Sequence, residues 1–281
     1  MKKQNELLKF AEKYAYGFDA REKRFKHLEL YDYQKEMLVA FQENKYNIIK
    51  QSRQMGIDIT MAVYVAYYVL KNENKKVSIT SDSLKSSENF LNKVRAILVY
   101  SGEKLTASAT RVIELKNGSR IFSISSDSVS RGGSQANLTF INNFEFLSAP
   151  EEALSTQTVC TNEMIIASMP RYEENVFYNL WTAATKNENA YNPISVIWNQ
   201  NPSFDETWYR EQCKKLVWNE DSIKNELDGE FVKKKDKKKK STVSIRLKND
   251  VKVKILEKMK QKEISSITDY VMELINKDLS S

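Results

Sequence analysis

Apolar positions along the first 230 residues fall into short runs that alternate with longer helical patterns. Asn47-Ile48-Ile49-Lys50 has the length and character of a strand. MAVYVAYYVLKN, residues 61–72, is apolar on nearly every side and predicts a buried helix. Val77-Ser78-Ile79-Thr80 predicts a second strand. The stretch 84–99 then spaces Leu84, Phe90, Leu91, Val94, Ile97 and Leu98 as a helix does. RVIELKNGSRIFSIS, residues 111–125, reads as two strands around an Asn117-Gly118 turn. Leu138–Ile141 and Met164–Ala167 are further apolar strands, and FKHLEL, 25–30, reads as a charged helical stretch with His27 on the surface. Strands separated by helices predict an α/β fold with a mainly parallel sheet, flanking helices and an antiparallel hairpin inserted in it.

A different pattern follows residue 240. Thr242, Ser244 and Arg246 alternate with Val243, Ile245 and Leu247, which predicts one short strand with a polar and an apolar face. Two helices follow, one carrying Val251, Ile255, Leu256 and Met259, the other Ile267, Tyr270, Val271, Leu274 and Ile275. Ser265 or Ser266 stands where a helix cap belongs. About 40 residues bury too little surface to be stable alone, so this unit is expected to need a second copy. The domains read as 1–232, a linker at 233–240, and 241–281.

Composition changes this picture mainly through charge. The net charge is +7, of which KKKDKKKK at 233–240 carries +6 and residues 241–281 carry +2, leaving 1–232 at −1. A block of like charge repels itself and reads as a solvated spacer. Beside a nucleic-acid-binding unit it also reads as a phosphate-tracking arm, with Lys237, Lys238, Lys239 and Lys240 as its last four cations. Apolar residues make up 41% of the 281 and suffice for a sizeable core. No apolar run approaches membrane-spanning length, and the N-terminal stretch has no long apolar segment of a secretory signal. Cys160 and Cys213 are too few for a disulfide framework, which points to a reducing compartment. His27 is the one histidine, so nucleophilic triads have a single candidate base and zinc spacing is absent.

The stretch SRQMGIDIT, 52–60, begins as a phosphate loop does. Such a loop cradles phosphates with backbone N–H groups, adds a Lys at the β/γ-phosphates, and holds magnesium with a Ser or Thr hydroxyl. Here those last two positions are Ile57 and Asp58.

Residues 31–232 resemble the ATPase domain of the large terminase subunit of T4-like tailed phages. LYDYQKEML, 30–38, is similar to its adenine-side motif, with Gln34 at the recognising position. SRQMG, 52–56, matches the terminase form S-R-Q-x-G through Ser52, Arg53, Gln54 and Gly56. KNGSRIFSIS, 116–125, and SRGGSQANLTFINNFEFL, 130–147, resemble the hairpin, the Arg-Gly segment and the Walker B strand. FYNLWTAAT, 177–185, and SVIWNQNPSFDETW, 195–208, resemble the closing segments. The resemblance implies a P-loop NTPase-like sheet. It also implies that Arg53 and Arg131 stand where the family has arginines near the γ-phosphate; the alternative is that they bond loop carbonyls or pair with Asp58.

The departures point the other way. The Walker B strand ends in Asn142-Asn143 where the family has Asp-Glu, and amides neither hold magnesium well nor accept a proton from water. Glu145, two residues on, replaces that base only if the strand end shifts. With the loop Lys, the hydroxyl and both acids replaced, hydrolysis is expected to be absent and binding of ATP and magnesium disfavoured. No cofactor is expected.

Residues 241–279 resemble a ribbon-helix-helix DNA-binding domain. That resemblance implies a homodimer whose paired strands enter a major groove with Thr242, Ser244 and Arg246, while backbone N–H groups at Ser265-Ser266 meet a phosphate. The whole reads as a non-enzymatic DNA-binding factor of a phage or mobile element that modulates or interferes with viral genome packaging, working in the cytoplasm of a bacterial host. Its expected partners are double-stranded DNA and a cognate large terminase or portal. The rivals are a transcriptional repressor whose large domain is an oligomerisation or effector-sensing body, and a weak ATPase or ATP-gated DNA binder.

Overall fold

The computed structural model describes residues 2–19, 22–125, 135–234, 249–262 and 267–279. The chain divides into two compact units, residues 1–234 and 235–281.

The first unit opens with helix α1 (Lys2–Tyr14) and a two-stranded hairpin, β1 (Tyr16–Asp19) and β2 (Arg24–His27). His27 is exposed, but the stretch expected to be helical runs as strand β2 over Arg24–His27, antiparallel to β1. Its Arg-Phe-Lys-His order alternates, and Phe25 packs edge-on against Phe18 at 5.5 Å, a cross-strand aromatic contact that a helix would not give.

The main sheet follows. In chain order come α2 (Asp32–Glu43), β3 (Tyr46–Gln51), α3 (Ile57–Lys71), β4 (Lys76–Ser81) and α4 (Leu84–Tyr100). Next are β5 (Leu105–Ala109), β6 (Val112–Leu115), β7 (Arg120–Ser125), β8 (Ala136–Asn142), α5 (Pro150–Cys160) and β9 (Thr161–Ser168). The unit closes with α6 (Val176–Thr185), β10 (Asn192–Val196), α7 (Glu206–Lys215) and the short α8 (Glu220–Ile223), continued by a π-turn at Lys224–Asp228. Eight strands form one sheet in the order β10-β3-β9-β8-β4-β7-β6-β5. Neighbours from β10 through β7 pair in parallel, and the β7–β6 and β6–β5 pairs are antiparallel. The Asn-Gly hairpin therefore extends the sheet edge, through β7 pairing with β4, and gains a third strand, β5. Gly118 turns it at φ 79°, where a Cβ would lie 2.1 Å from Asn74 Oδ1.

Both faces of the sheet are covered, which is why its strands read as continuous apolar runs. Along β3, Ile49 joins the larger core with α1–α4, while Ile48 joins the smaller core on the opposite face with Phe144, Phe177 and Ala184. The same alternation splits Ile165 and Ala167 from Met164 and Ile166 on β9. Helix α3 lies inside the larger core with Met61 through Val69 all buried. Among the described residues no helix is long and apolar enough to cross a membrane.

The second unit contributes α9 (Asn249–Gln261) and α10 (Ile267–Leu279). Met259 and Tyr270 are buried, and Lys262 bridges to Glu273 at 2.7 Å. Val251, Leu256, Leu274 and Ile275 remain exposed. The expected strand with Thr242, Ser244 and Arg246, the cap at Ser265-Ser266 and the lysines 237–240 lie outside the described residues.

Candidate functional site

The parallel strands β3, β9 and β8 end side by side, with Lys50 opposite Ser168 and Ala167 opposite Asn142. Open α/β sheets place ligand sites at such carboxyl ends. Ser52–Gly56 carries the chain from β3 into α3, with Gln54 at φ 65° and Gly56 at φ 67°. A Cβ on Gly56 would approach Gln34 Nε2 to 2.6 Å, so conformation and contact both demand glycine there. Gln34 clamps the loop: its Nε2 donates to the Gly56 carbonyl at 3.3 Å, and its Oε1 accepts from the Tyr31 N–H at 2.9 Å. The Tyr33 hydroxyl donates to the Met55 carbonyl at 2.8 Å.

Two clefts flank the loop. One, of about 1070 Å³, lies on the α2 side and is lined by Tyr31, Tyr33, Gln34, Phe18, Phe204 and Trp208. Phe204 and Trp208 stack at 3.8 Å with rings 3° from parallel. The other, of about 730 Å³, is lined by Arg53, Asp58, Lys93, Asn142, Asn143 and Met169 among others.

The second cleft differs from its sequence pattern in instructive ways. Ile57, at the loop's lysine position, is 3% exposed and belongs to the larger core. Asp58 does not pair with Arg53. Lys93 from α4 donates to Asp58 Oδ2, and Asn142 Nδ2 donates to Asp58 Oδ1 at 2.9 Å. A carboxylate at position 142 would instead face the Asp58 carboxylate, a repulsion of roughly 1–4 kcal/mol at about 4 Å. Asp58 and Asn142 therefore form a matched acid–amide pair across the loop and the strand end. The Lys93–Asp58 side chains are 41% and 38% exposed, so their ion pair contributes at most about 1 kcal/mol.

Asn143 stands at φ 54° and its Nδ2 donates to Asp82 Oδ1 at 2.9 Å. Burial would raise the Asp82 carboxyl, but hydrogen bonds from Asn143, Ser81 and Ser86 hold it below the ordinary range. Glu145 faces another cleft, with Asn175 Nδ2 donating to its Oε1 at 2.5 Å. Burial pushes its carboxyl up to about 7, against the opposing Arg171 charge and the Asn175 hydrogen bond. That cleft is distinct from the one lined by Asn142 and Asn143. Among the described residues no group of three or more His, Cys, Asp or Glu converges as a metal site requires.

Arg53 meets a partner that the sequence reading did not name. Its guanidinium pairs with the Glu226 carboxylate through Nε to Oε2 and through Nη2, which lies 2.9 Å from Oε1. Ser52 Oγ donates to the Leu227 carbonyl. Arg131 lies outside the described residues. Lys93, Asp82 and Glu226 were missed because each reaches the loop from a distant element, and no local pattern marks a charged residue on a helix or turn as a loop partner.

Comparison with known proteins gives the same fold. The HK97 bacteriophage large terminase superimposes with a TM-score of 0.64 at 12% identity, covering 81% of this chain and 55% of that one. The large terminase of the thermophilic bacteriophage D6E, in complex with ADP, gives 0.61 at 11% identity over 72% and 54%. The ATPase domain of the Thermus phage P74-26 large terminase gives 0.55 at 16% over 69% and 92%. The chain thus spans about half the length of the HK97 and D6E proteins and nearly all of the P74-26 domain. The family model described as the terminase large subunit, T4likevirus-type, N-terminal, matches residues 48–243. The chain belongs to this family of phage terminase large subunits, through their N-terminal domain.

Proposed function

We propose that the protein is a catalytically silent terminase-type factor that binds double-stranded DNA and modulates viral genome packaging. The reading is carried by the Asp58–Asn142 contact, with Lys93 on the same carboxylate. A magnesium triphosphate needs a cation at the phosphates, oxygen ligands with free negative charge, and a base for water. Here the lysine position is a core isoleucine, the loop carboxylate is neutralised by Lys93, and the strand end offers amides. These donors do not fit magnesium.

The terminase shell then serves as a shape for recognition. It can engage a portal or a functional terminase, compete with that motor, or bring it a chosen DNA. Two features of the C-terminal part support DNA binding by a pair of chains. The lysine run adds +6 beside the second unit. Val251, Leu256, Leu274 and Ile275 are exposed on helices too small to be stable without a partner. With three or four of the lysines on phosphates, the log–log salt slope steepens by about three, at 0.9 per phosphate.

Mapping DNA sites with purified full-length protein, alongside pull-down with the cognate portal and large terminase, tests the reading. Packaging-initiation sites and capture of either partner are expected. Binding confined to a promoter, with neither partner captured, overturns it in favour of a repressor.

A further inference from the structure

We propose that residues 224–232 form an internal latch on the loop after β3, in which Glu226 is the chain's own anion at Arg53. The contacts are dense and come from both strand ends that the segment crosses. The Arg53 N–H donates to the Glu226 carbonyl at 2.7 Å while its guanidinium takes the Glu226 carboxylate. Ser52 Oγ donates to the Leu227 carbonyl, and Lys50 Nζ to the Gly229 carbonyl at 2.5 Å. Lys50 also sits over the rings of Trp181 at 5.3 Å and Phe231 at 5.9 Å. Beyond β9, Asn225 Nδ2 and the Val232 N–H both donate to the Arg171 carbonyl at 2.9 Å.

Gly229 makes this approach possible. It has φ 66°, and a Cβ there would lie 3.3 Å from Ile197 Cγ2 and 3.5 Å from Ser52 Oγ. The segment is therefore fitted to the loop through backbone as well as charge.

The consequence is competition. Arg53 lines the 730 Å³ cleft with its side chain 53% exposed, so an external polyanion can reach it, but only by displacing Glu226. The latch is also the last segment before the boundary at 234/235. Its release lengthens the chain leading into the second unit, and links the state of the loop to the freedom of that unit. This goes beyond the packaging proposal and holds whether or not a bound anion is hydrolysed.

Hydrogen–deuterium exchange on the full-length protein, with inorganic pyrophosphate as probe, reads the latch. In wild type, residues 224–232 are expected to exchange slowly, and faster once pyrophosphate saturates. Glu226→Gln exchanges fast without pyrophosphate and binds it about fivefold more tightly, the equivalent of about 1 kcal/mol for a half-exposed ion pair. Arg53→Gln also frees the segment but loses pyrophosphate binding. Gly229→Ala loosens the segment with both charges kept. The proposal is overturned if Glu226→Gln changes neither exchange nor pyrophosphate affinity. It is equally overturned if pyrophosphate binds wild type while residues 224–232 stay protected, or binds neither protein.

Discussion

The two clefts that share the loop after β3 hold it by opposite means. On the α2 side, Gln34 and Tyr33 grip the loop backbone through neutral hydrogen bonds, the Tyr31 N–H holds Gln34 in place, and Phe204 and Trp208 present a stacked aromatic wall. On the α4 side, the described charges have internal counterparts: Asp58 with Lys93 and Asn142, Asp82 with Asn143, Arg53 with Glu226. A loop shape is maintained by glycine conformation and backbone hydrogen bonds, and these do not depend on the chemistry beside it. Metal and phosphate chemistry depends on uncompensated charge, and the proposed catalytic silence rests on the pairing of the described charges in this half.

The largest test of this contrast is at Ile57. Ile57→Lys places an ammonium among core side chains and is expected to cost about 2–4 kcal/mol in urea unfolding. A variant as stable as wild type that also gains ATP binding would show that the position still faces phosphates. Asn142→Asp comes next. It sets a second carboxylate against Asp58, for a loss of about 1–3 kcal/mol in EDTA. Millimolar magnesium should restore much of it, since two carboxylates make a metal site where the acid–amide pair does not. No loss in EDTA would mean the contact is not formed in solution.

On the opposite side, Gln34→Ala removes two hydrogen bonds from a buried side chain and should cost about 1–2 kcal/mol, with no dependence on magnesium. A magnesium-dependent loss would erase the distinction between the two halves. A further test lies outside both clefts. The Glu145 carboxyl is raised from 4.5 to about 7, so the folded state holds its proton more tightly than the unfolded chain. Stability should therefore fall as pH rises from 4.5 through about 7, then level off. Glu145→Gln should flatten that slope, measured by denaturant midpoints across pH; an unchanged slope would place the titration elsewhere.

Local pattern carried the sheet and the loop but not the contacts that define the site. β3, β4, β8 and β9 read directly because strands buried on both faces are continuously apolar. Helix α3 read as buried because Met61 through Val69 leave no polar stripe. β5, with Leu-Thr-Ala-Ser-Ala, is mostly exposed and carried no such signal. Ile57, Asp58, Asn142 and Asn143 stand out in the sequence as departures from the motif it resembles. What each touches does not, since Lys93 is 35 residues from Asp58 and Glu226 is 173 from Arg53. Arg53 illustrates the limit best: its charge invited a phosphate or Asp58, and the sheet topology gave it a carboxylate from the end of the unit instead.

Catalytic silence is tested most directly by single-turnover hydrolysis of γ-labelled ATP. The full-length protein is incubated with magnesium and double-stranded DNA, beside Arg53→Gln and Asn142→Ala variants. Phosphate release by wild type at the rate of a protein-free blank, and by both variants alike, is the expected result. Magnesium-dependent release that disappears in either variant would contradict it.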